Sequence, residues 1–434
     1  MLKQKDKKVY SEKMKIPERA HPKNRYIPFR KPDIVKMCTS EAHLSESDVN
    51  EFRDLCQILE ALFHFEFHKR LETLKNCYAP FNPDADTRLV LSYSEADKKN
   101  LQKKLVAELT EILNAANYET VTAEDLRQSL GEESLFKIKL VVDFNDFEDV
   151  IFFRRGTSVR QETLVEFFGL RKKIFNFTNY DRVVVYVKFK EKEYFKAQSR
   201  KNLYFVPGST LIKLFQNIPK ADLEMLFPNS EVRMKTIDKL IIGVPAAVSG
   251  AIVVATKLGA SLILVASVLA FWLGLKADEP RIQQQHLIAL GVGMGALGGF
   301  LFRQINKFKN RKIRFMKALS ENLYFKNLDN NAGVFYHLVD AAEEEEFKEA
   351  VLAYYFLLTA KQDLTKHQLD DLIEKWFEDK WNCSIDFEID DAMRKLEKLG
   401  IVSRDGDTLR CKPLNEAKHR LDDIWDNYFE YRRQ

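Results

Sequence analysis

KLIIGVPAAVSGAIVVATKLGASLILVASVLAFWLGL, from Lys239 to Leu275, is the stretch on which the reading of this 434-residue sequence turns. Apart from Lys239, Lys257 and scattered Ser and Thr it is apolar, and Leu287 to Phe302 downstream carries no charge. A helix of about 20 apolar residues crosses a hydrocarbon core of about 30 Å. The pattern therefore predicts a transmembrane α-helical hairpin over residues 236–305, with crossings near 250–275 and 285–303 and Lys276 to Gln285 as the far-side loop. A third crossing, turning at Lys257, would leave Leu240 to Ala255 only about 24 Å long. It would also place the flanking basic clusters on opposite faces, so two crossings are expected.

Small residues recur at every fourth position: Gly243, Ala247, Ala251, Ala255 and Gly259, then Gly291, Gly295 and Gly299. In lipid such stripes allow close helix packing. Lys257 is the candidate intramembrane charge. Arg303, Lys307, Lys309, Arg311 and Lys312 follow the second apolar stretch and are candidates for lipid head-group contact. With Arg233, Lys235 and Lys239 before the first stretch, they predict a multi-pass integral membrane protein. The positive-inside rule puts both termini on the cytoplasmic side, in a bacterial inner membrane or an organellar one.

On the N-terminal side, residues 1–36 read as a basic extended arm with Pro17, Pro22, Pro28 and Pro32, and residues 37–235 as an α+β domain. The spacing of Phe52, Leu55, Ile58, Leu59, Leu62, Phe63 and Phe65 predicts a helix from Ser47 to about Asn76. A second is expected from Ser94 to Asn114, with Asp97 in capping-box position, and a short third from Thr122. The period then falls to 2 in KIKLVVDF (Lys137 to Phe144), DVIFFRRG (Asp149 to Gly156) and RVVVYVKF (Arg182 to Phe189), which read as strands. On the C-terminal side, residues 306–333 read as a basic juxtamembrane helix and turn. Residues 334–434 read as an acidic winged-helix-like domain: helices over Glu343 to Ala360, from Thr365 to near Trp381 and over Ile385 to Leu399, stopped by Gly400. A hairpin around Asp405 and Gly406 and a helix over Leu414 to Tyr431 follow.

The formal net charge is +4, but Val334 to Gln434 holds 15 basic and 24 acidic residues, net −9, which leaves +13 for Met1 to Gly333. An acidic C-terminal domain fits a basic protein partner, self-association, or this chain's own basic half. Nucleic acid is not an expected partner. Asp386 to Leu399 sets Asp386, Glu388, Asp390, Asp391 and Glu397 against Arg394, Lys395 and Lys398, the wrong balance for phosphate contact. The five cysteines, Cys38, Cys56, Cys77, Cys383 and Cys411, show no CxxC spacing and read as free thiols. The N-terminus has neither the apolar run of a signal peptide nor the acid-free composition of a transit peptide.

No catalytic constellation and no cofactor motif stands out. His64 and His68 lie four apart on one predicted helix with Glu66 between them, but this is not HExxH, and half-buried rings at a helix edge are the plainer reading. Asp370 with Asp371 and Asp390 with Asp391 point about 100° apart on their helices and do not converge. Glu343 to Glu346 read as a helix start. In LDNNAG, Leu328 to Gly333, Asn330 and Asn331 are expected to supply turn and capping hydrogen bonds. No phosphate loop or GxSxG occurs.

IPKADLEMLFPNSEVRMKTIDKLIIGVPA (Ile218 to Ala246), FRQINKFKNRKIRF (Phe302 to Phe315) and YFKNLDNNAGVFYHLVDAAEEEEFKEAVLAY (Tyr324 to Tyr354) resemble the family called domain of unknown function 3754. The resemblance runs from about Phe153 to Tyr428. It implies a two-span membrane protein with relatives in bacteria and plants and a related animal mitochondrial membrane protein, and it implies no activity, cofactor or catalytic residue. The function expected from the sequence is a membrane-anchored scaffold or adaptor. A pore, transporter or lipid-handling membrane protein is the alternative, and an uncharacterised enzyme the third reading.

Overall fold

The computed structural model describes residues 23–90, 92–122, 139–166, 171–200, 203, 205–233, 248, 251–252, 259–275 and 284–429. In chain order the helices are α1 (Lys31–Ser40), α2 (Glu46–Tyr78), α3 (Glu95–Ala115), α4 (Lys192–Ala197), α5 (Gly259–Trp272), α6 (Gln284–Lys326), α7 (Ala332–Thr359), α8 (Lys366–Trp381), α9 (Ile389–Leu399) and α10 (Leu414–Asp426). The strands are β1 (Glu119–Thr120), β2 (Lys139–Val141), β3 (Phe147–Glu166), β4 (Arg171–Phe189), β5 (Thr210–Pro219), β6 (Glu231–Arg233), β7 (Asn327–Asn330), β8 (Leu364–Thr365), β9 (Val402–Asp405) and β10 (Thr408–Cys411). Two compact units result: Met1–Glu132, Phe144–Leu223 and Lys326–Gln434 form one, Glu133–Asp143 and Glu224–Phe325 the other.

Helix α7 organises the first unit. From Phe347 to Leu357 it is buried all the way round, the signature of a helix with neighbours on every side. Those neighbours come from both ends of the chain. One hydrophobic cluster joins Ile34 and Met37 of α1, Phe52 to Tyr78 of α2 and Leu105 to Leu113 of α3. The same cluster holds Ile373 and Phe377 of α8, Met393 and Leu396 of α9, and Leu421 of α10. Local signals set the helix ends: Ser45 caps α2, capping boxes open α3 (Ser94 with Asp97) and α8 (Thr365 with Gln368), and Gly400, at φ 72°, closes α9. The C-terminal elements follow the expected order, with β9 and β10 paired around Asp405 and Gly406 and β8 on the other side of β10.

The main sheet is antiparallel, in the order β1-β3-β4-β5-β7. Strands β3 and β4 stay paired from Phe147 opposite Phe189 to Glu166 opposite Arg171. One face meets the helical core through Phe153, Val184, Tyr186, Ile212 and Leu214. Gly156 is a position where only glycine serves: its φ is 71°, and a Cβ there would collide with Asp181.

Residues 23–30 form an extended strap across these elements. Thr157 donates its N–H to Asn24 Oδ1 at 2.9 Å, and Asp386 N–H donates to Asn24 O at 3.0 Å. The backbone of Ile27 is held at both ends by α7: its N–H donates to Glu345 Oε2 at 2.9 Å, and Lys348 Nζ donates to its carbonyl at 2.7 Å. Glu345 and Lys348 also pair with each other at 2.8 Å, and both are buried.

The second unit corrects the transmembrane expectation. Among the described residues, no helix is long and apolar enough to cross a membrane. Helix α5 is described from Gly259 to Trp272. It is closed by Gly274 at φ 72°, with Gly274 N–H bonded to Phe271 O and Leu275 N–H to Ala270 O. In α6 the apolar stretch ends at Phe302, after about 24 Å, and the helix continues through Arg303, Lys307 and Lys309. That apolar stretch falls short of a core of about 30 Å. The multi-pass localisation falls with the hairpin, and so do the membrane-anchored scaffold and the pore, transporter or lipid-handling readings built on it. Described here is a mixed helix and sheet protein with an antiparallel sheet. The third expected helix, from Thr122, and most of the far-side loop lie outside the described residues.

The run Glu343 to Glu346 is not a helix start, because α7 begins at Ala332, and its charges sit mid-helix beside partners brought from elsewhere. Glu349 of the same helix is fully enclosed, accepting from Asn117 Nδ2 at 2.8 Å and facing Lys395 Nζ at 3.3 Å, and burial holds its carboxyl up to about 8. An acid whose pKa is raised by folding stabilises fully below its ordinary value of 4.5 and loses that contribution as pH rises to about 8. The stability of the wild type relative to Glu349→Gln should therefore fall between about pH 4.5 and 8, by up to about 1.4 kcal/mol per pH unit. Urea denaturation across that range measures it, and a difference independent of pH would refute the raised pKa.

Candidate functional site

Helices α2 and α7 run antiparallel, as their paired contacts show: His64 meets Glu343, Lys75 lies over the Tyr336 ring, and Tyr78 packs on Phe335. On α2 the positions Gln57, Glu60, Ala61, His64, His68 and Leu71 recur at helical spacing and form one wall of a groove of about 830 Å³. Tyr336, His337, Val339, Asp340 and Glu343 of α7 form the other, and Lys31 of α1 closes one end. Leu71 and Val339 are buried and floor it.

The charges are arranged along the groove. At the Lys31 end, the ammonium lies 2.9 Å from Glu60 Oε1 and 3.0 Å from Glu343 Oε1, and 5.8 Å from the centre of the Phe347 ring. Burial works against the charge of Lys31, but its hydrogen bonds to Glu60 and Glu343 outweigh that and hold the ammonium above the usual lysine range. The second oxygen of Glu343 meets His64 Nδ1 at 3.0 Å. The contact orients the otherwise exposed imidazole by its Nδ1. Further along, Asp340 is exposed and has no ion-pair partner among the described residues, while His337 pairs with Asp329 at 3.3 Å.

His64 and His68 do share this groove, whereas Cys56 is buried in the core on another face. Among the described residues, no group of three or more His, Cys, Asp or Glu could hold a metal ion. Nor does any lining residue offer a hydroxyl or thiol nucleophile beyond the Tyr336 phenol. Asp390 and Asp391 are taken by Lys366 and Arg394, and burial pushes Asp370 up to about 6. Asn331 is not a conventional cap: at φ 53° it makes no capping bond, and its side chain instead joins Tyr78 OH, Ile212 N–H and Asp84.

Of the residues singled out in the sequence, Gly259 lies on α5, and Gly291, Gly295 and Gly299 lie on α6. At these last three, no described atom comes within 4 Å of where a Cβ would stand. Arg303, Lys307 and Lys309 are exposed on α6, which also carries Arg311 and Lys312, and Ala251 is exposed. Gly243, Ala247, Ala255 and Lys257 are outside the described residues. Sequence reasoning missed Lys31, Glu60, Asp340 and Glu343 as one constellation, since α1 and α2 are some 300 residues from α7; the helical spacing of 57, 60, 64, 68 and 71 was the available signal.

Residues 180–333 match a family model described as "Protein of unknown function (DUF3754)", and no solved structure matches the chain. That span is narrower than the resemblance from Phe153 to Tyr428, and neither a membrane character nor an animal mitochondrial relative follows from it. Both walls of the groove lie outside it.

Glu343 serves two partners from a buried position and Asp340 serves none. Glu343→Gln should cost about 1–3 kcal/mol in urea denaturation, and Asp340→Asn less than about 0.5 kcal/mol. Equal effects would contradict the arrangement described.

Proposed function

We propose that this chain is a binding protein for an organic cation, held in the groove between α2 and α7. The observation that carries this is the lining: three carboxylates, Glu60, Asp340 and Glu343, share the groove with one ammonium and the imidazoles of His64, His68 and His337 over the apolar floor of Leu71 and Val339. Such a cleft has the volume and the mixture of apolar surface with a few convergent polar groups that small ligands use. Asp340 is the carboxylate left over for the ligand, and Tyr336, whose ring already carries Lys75, adds exposed apolar surface at the far end. The lining suits binding better than acyl transfer, because an oriented His64 with Glu343 supplies a base without a serine, threonine or cysteine to activate.

Isothermal titration with spermidine, against glutamate as an anionic control, tests this. Spermidine should bind, glutamate should not, and Asp340→Asn should weaken spermidine five- to tenfold, about 1–1.4 kcal/mol, with an unchanged melting temperature. Absence of spermidine binding, or identical binding by Asp340→Asn, would sink the reading.

A further inference from the structure

We propose that Lys31 is a tethered stand-in for the ligand: its ammonium occupies the subsite that an incoming primary ammonium takes, and ligand entry displaces it. This rests on the cation-binding reading above. The subsite is more than a group of acids, because it already holds an ammonium between two carboxylates and near an aromatic ring, the surroundings that proteins offer to alkylammonium ions. One of the two carboxylates is fixed in advance, since Glu343 is buried and its other oxygen is engaged by His64.

Lys348, just beyond the acidic run Glu343 to Glu346 on α7, shows by contrast what a purely structural lysine looks like here. Its side chain is 2% exposed and its ammonium is held by Glu345 and the Ile27 carbonyl. Lys31 is 16% exposed and lines the open groove. It also sits where it can leave: it is the first residue of α1, directly after the extended strap. A ligand that replaces its ammonium gains Asp340 and the Tyr336 ring further along the groove, contacts that the tethered lysine does not make.

The experiment uses the full chain as wild type, Lys31→Ala and Lys31→Gln, the last keeping half of the aliphatic stem in case alanine impairs folding. Each is titrated with spermidine and melted with n-butylammonium chloride or tetramethylammonium chloride. Spermidine should bind either lysine variant at least tenfold more tightly than wild type. Butylammonium should raise the variant's melting temperature several times more than that of wild type, and adding Glu343→Gln should abolish the gain. Tetramethylammonium has no N–H to donate and should not reproduce it. An equal response to tetramethylammonium would show that only unbalanced charge was exposed, and unchanged spermidine affinity would show that Lys31 occupies no ligand subsite; either overturns the proposal. Wild-type binding that depends on Asp340 but is insensitive to Lys31 would remove the stand-in and leave the cation-binding reading. Loss of spermidine binding in wild type and variants alike removes both.

Discussion

The ion pair between Glu345 and Lys348 is the contact on which the first unit depends. Two opposite charges three residues apart on α7 are buried, a costly arrangement unless each finds further hydrogen bonds. They find them in the backbone of Ile27, one charge taking its N–H and the other its carbonyl. A side-chain pair thus does what a neighbouring strand would do for an extended segment. The strap held this way meets β3 through Asn24 and Thr157, and α9 through Arg25 and Glu388. Sheet, central helix and C-terminal elements are therefore tied by one short piece of chain.

The charge asymmetry between the two parts of the sequence takes on a different meaning in this setting. Several acids of α7 face cations within the fold: Glu343 toward Lys31 of α1, Glu345 toward Lys348 of α7 itself and, at 4.0 Å, Arg155 of β3, and Glu346 with Glu349 toward Lys395 of α9. Part of the negative charge that suggests an external basic partner is answered within the fold. What is left facing the groove, Asp340 above all, is correspondingly more informative about ligands than the total.

Features with a local cause were legible. Ser94 with Asp97, Gly400 and the Asp405-Gly406 turn act within a few residues, so the sequence displays both partners at once. The strands were harder. RKKIFNFTNY was passed over, yet it extends β4 back to Arg171 because β3 supplies a partner along its whole length. β7 is NLDN, poor strand-forming residues held by the edge of β5. The hairpin failed for a related reason: hydropathy measures how apolar a stretch is, not how far its helix runs, and the uncharged part of α6 ends at Phe302 while the helix goes on through Arg303 to Lys326. The acidic run misled because the dipole rule places such residues at a helix start, while the turn at Asn331 opens α7 a full three turns before them. In the groove, one wall could be seen as a stripe on α2, but its facing wall lies hundreds of residues away.

The distance along the chain between Ile27 and its clamp also bears on how this protein comes into being. Helix α2 presents Phe52, Leu59, Phe63, Phe67 and Leu74 to a core whose central member, α7, is made last but for the C-terminal elements. At ribosomal speeds of roughly 5–20 residues per second, those side chains wait on the order of tens of seconds for their cover. Through that interval the nascent chain exposes a long apolar stripe in water, so its fate in a cell is set as much by what shields α2 during synthesis as by the stability of the finished fold.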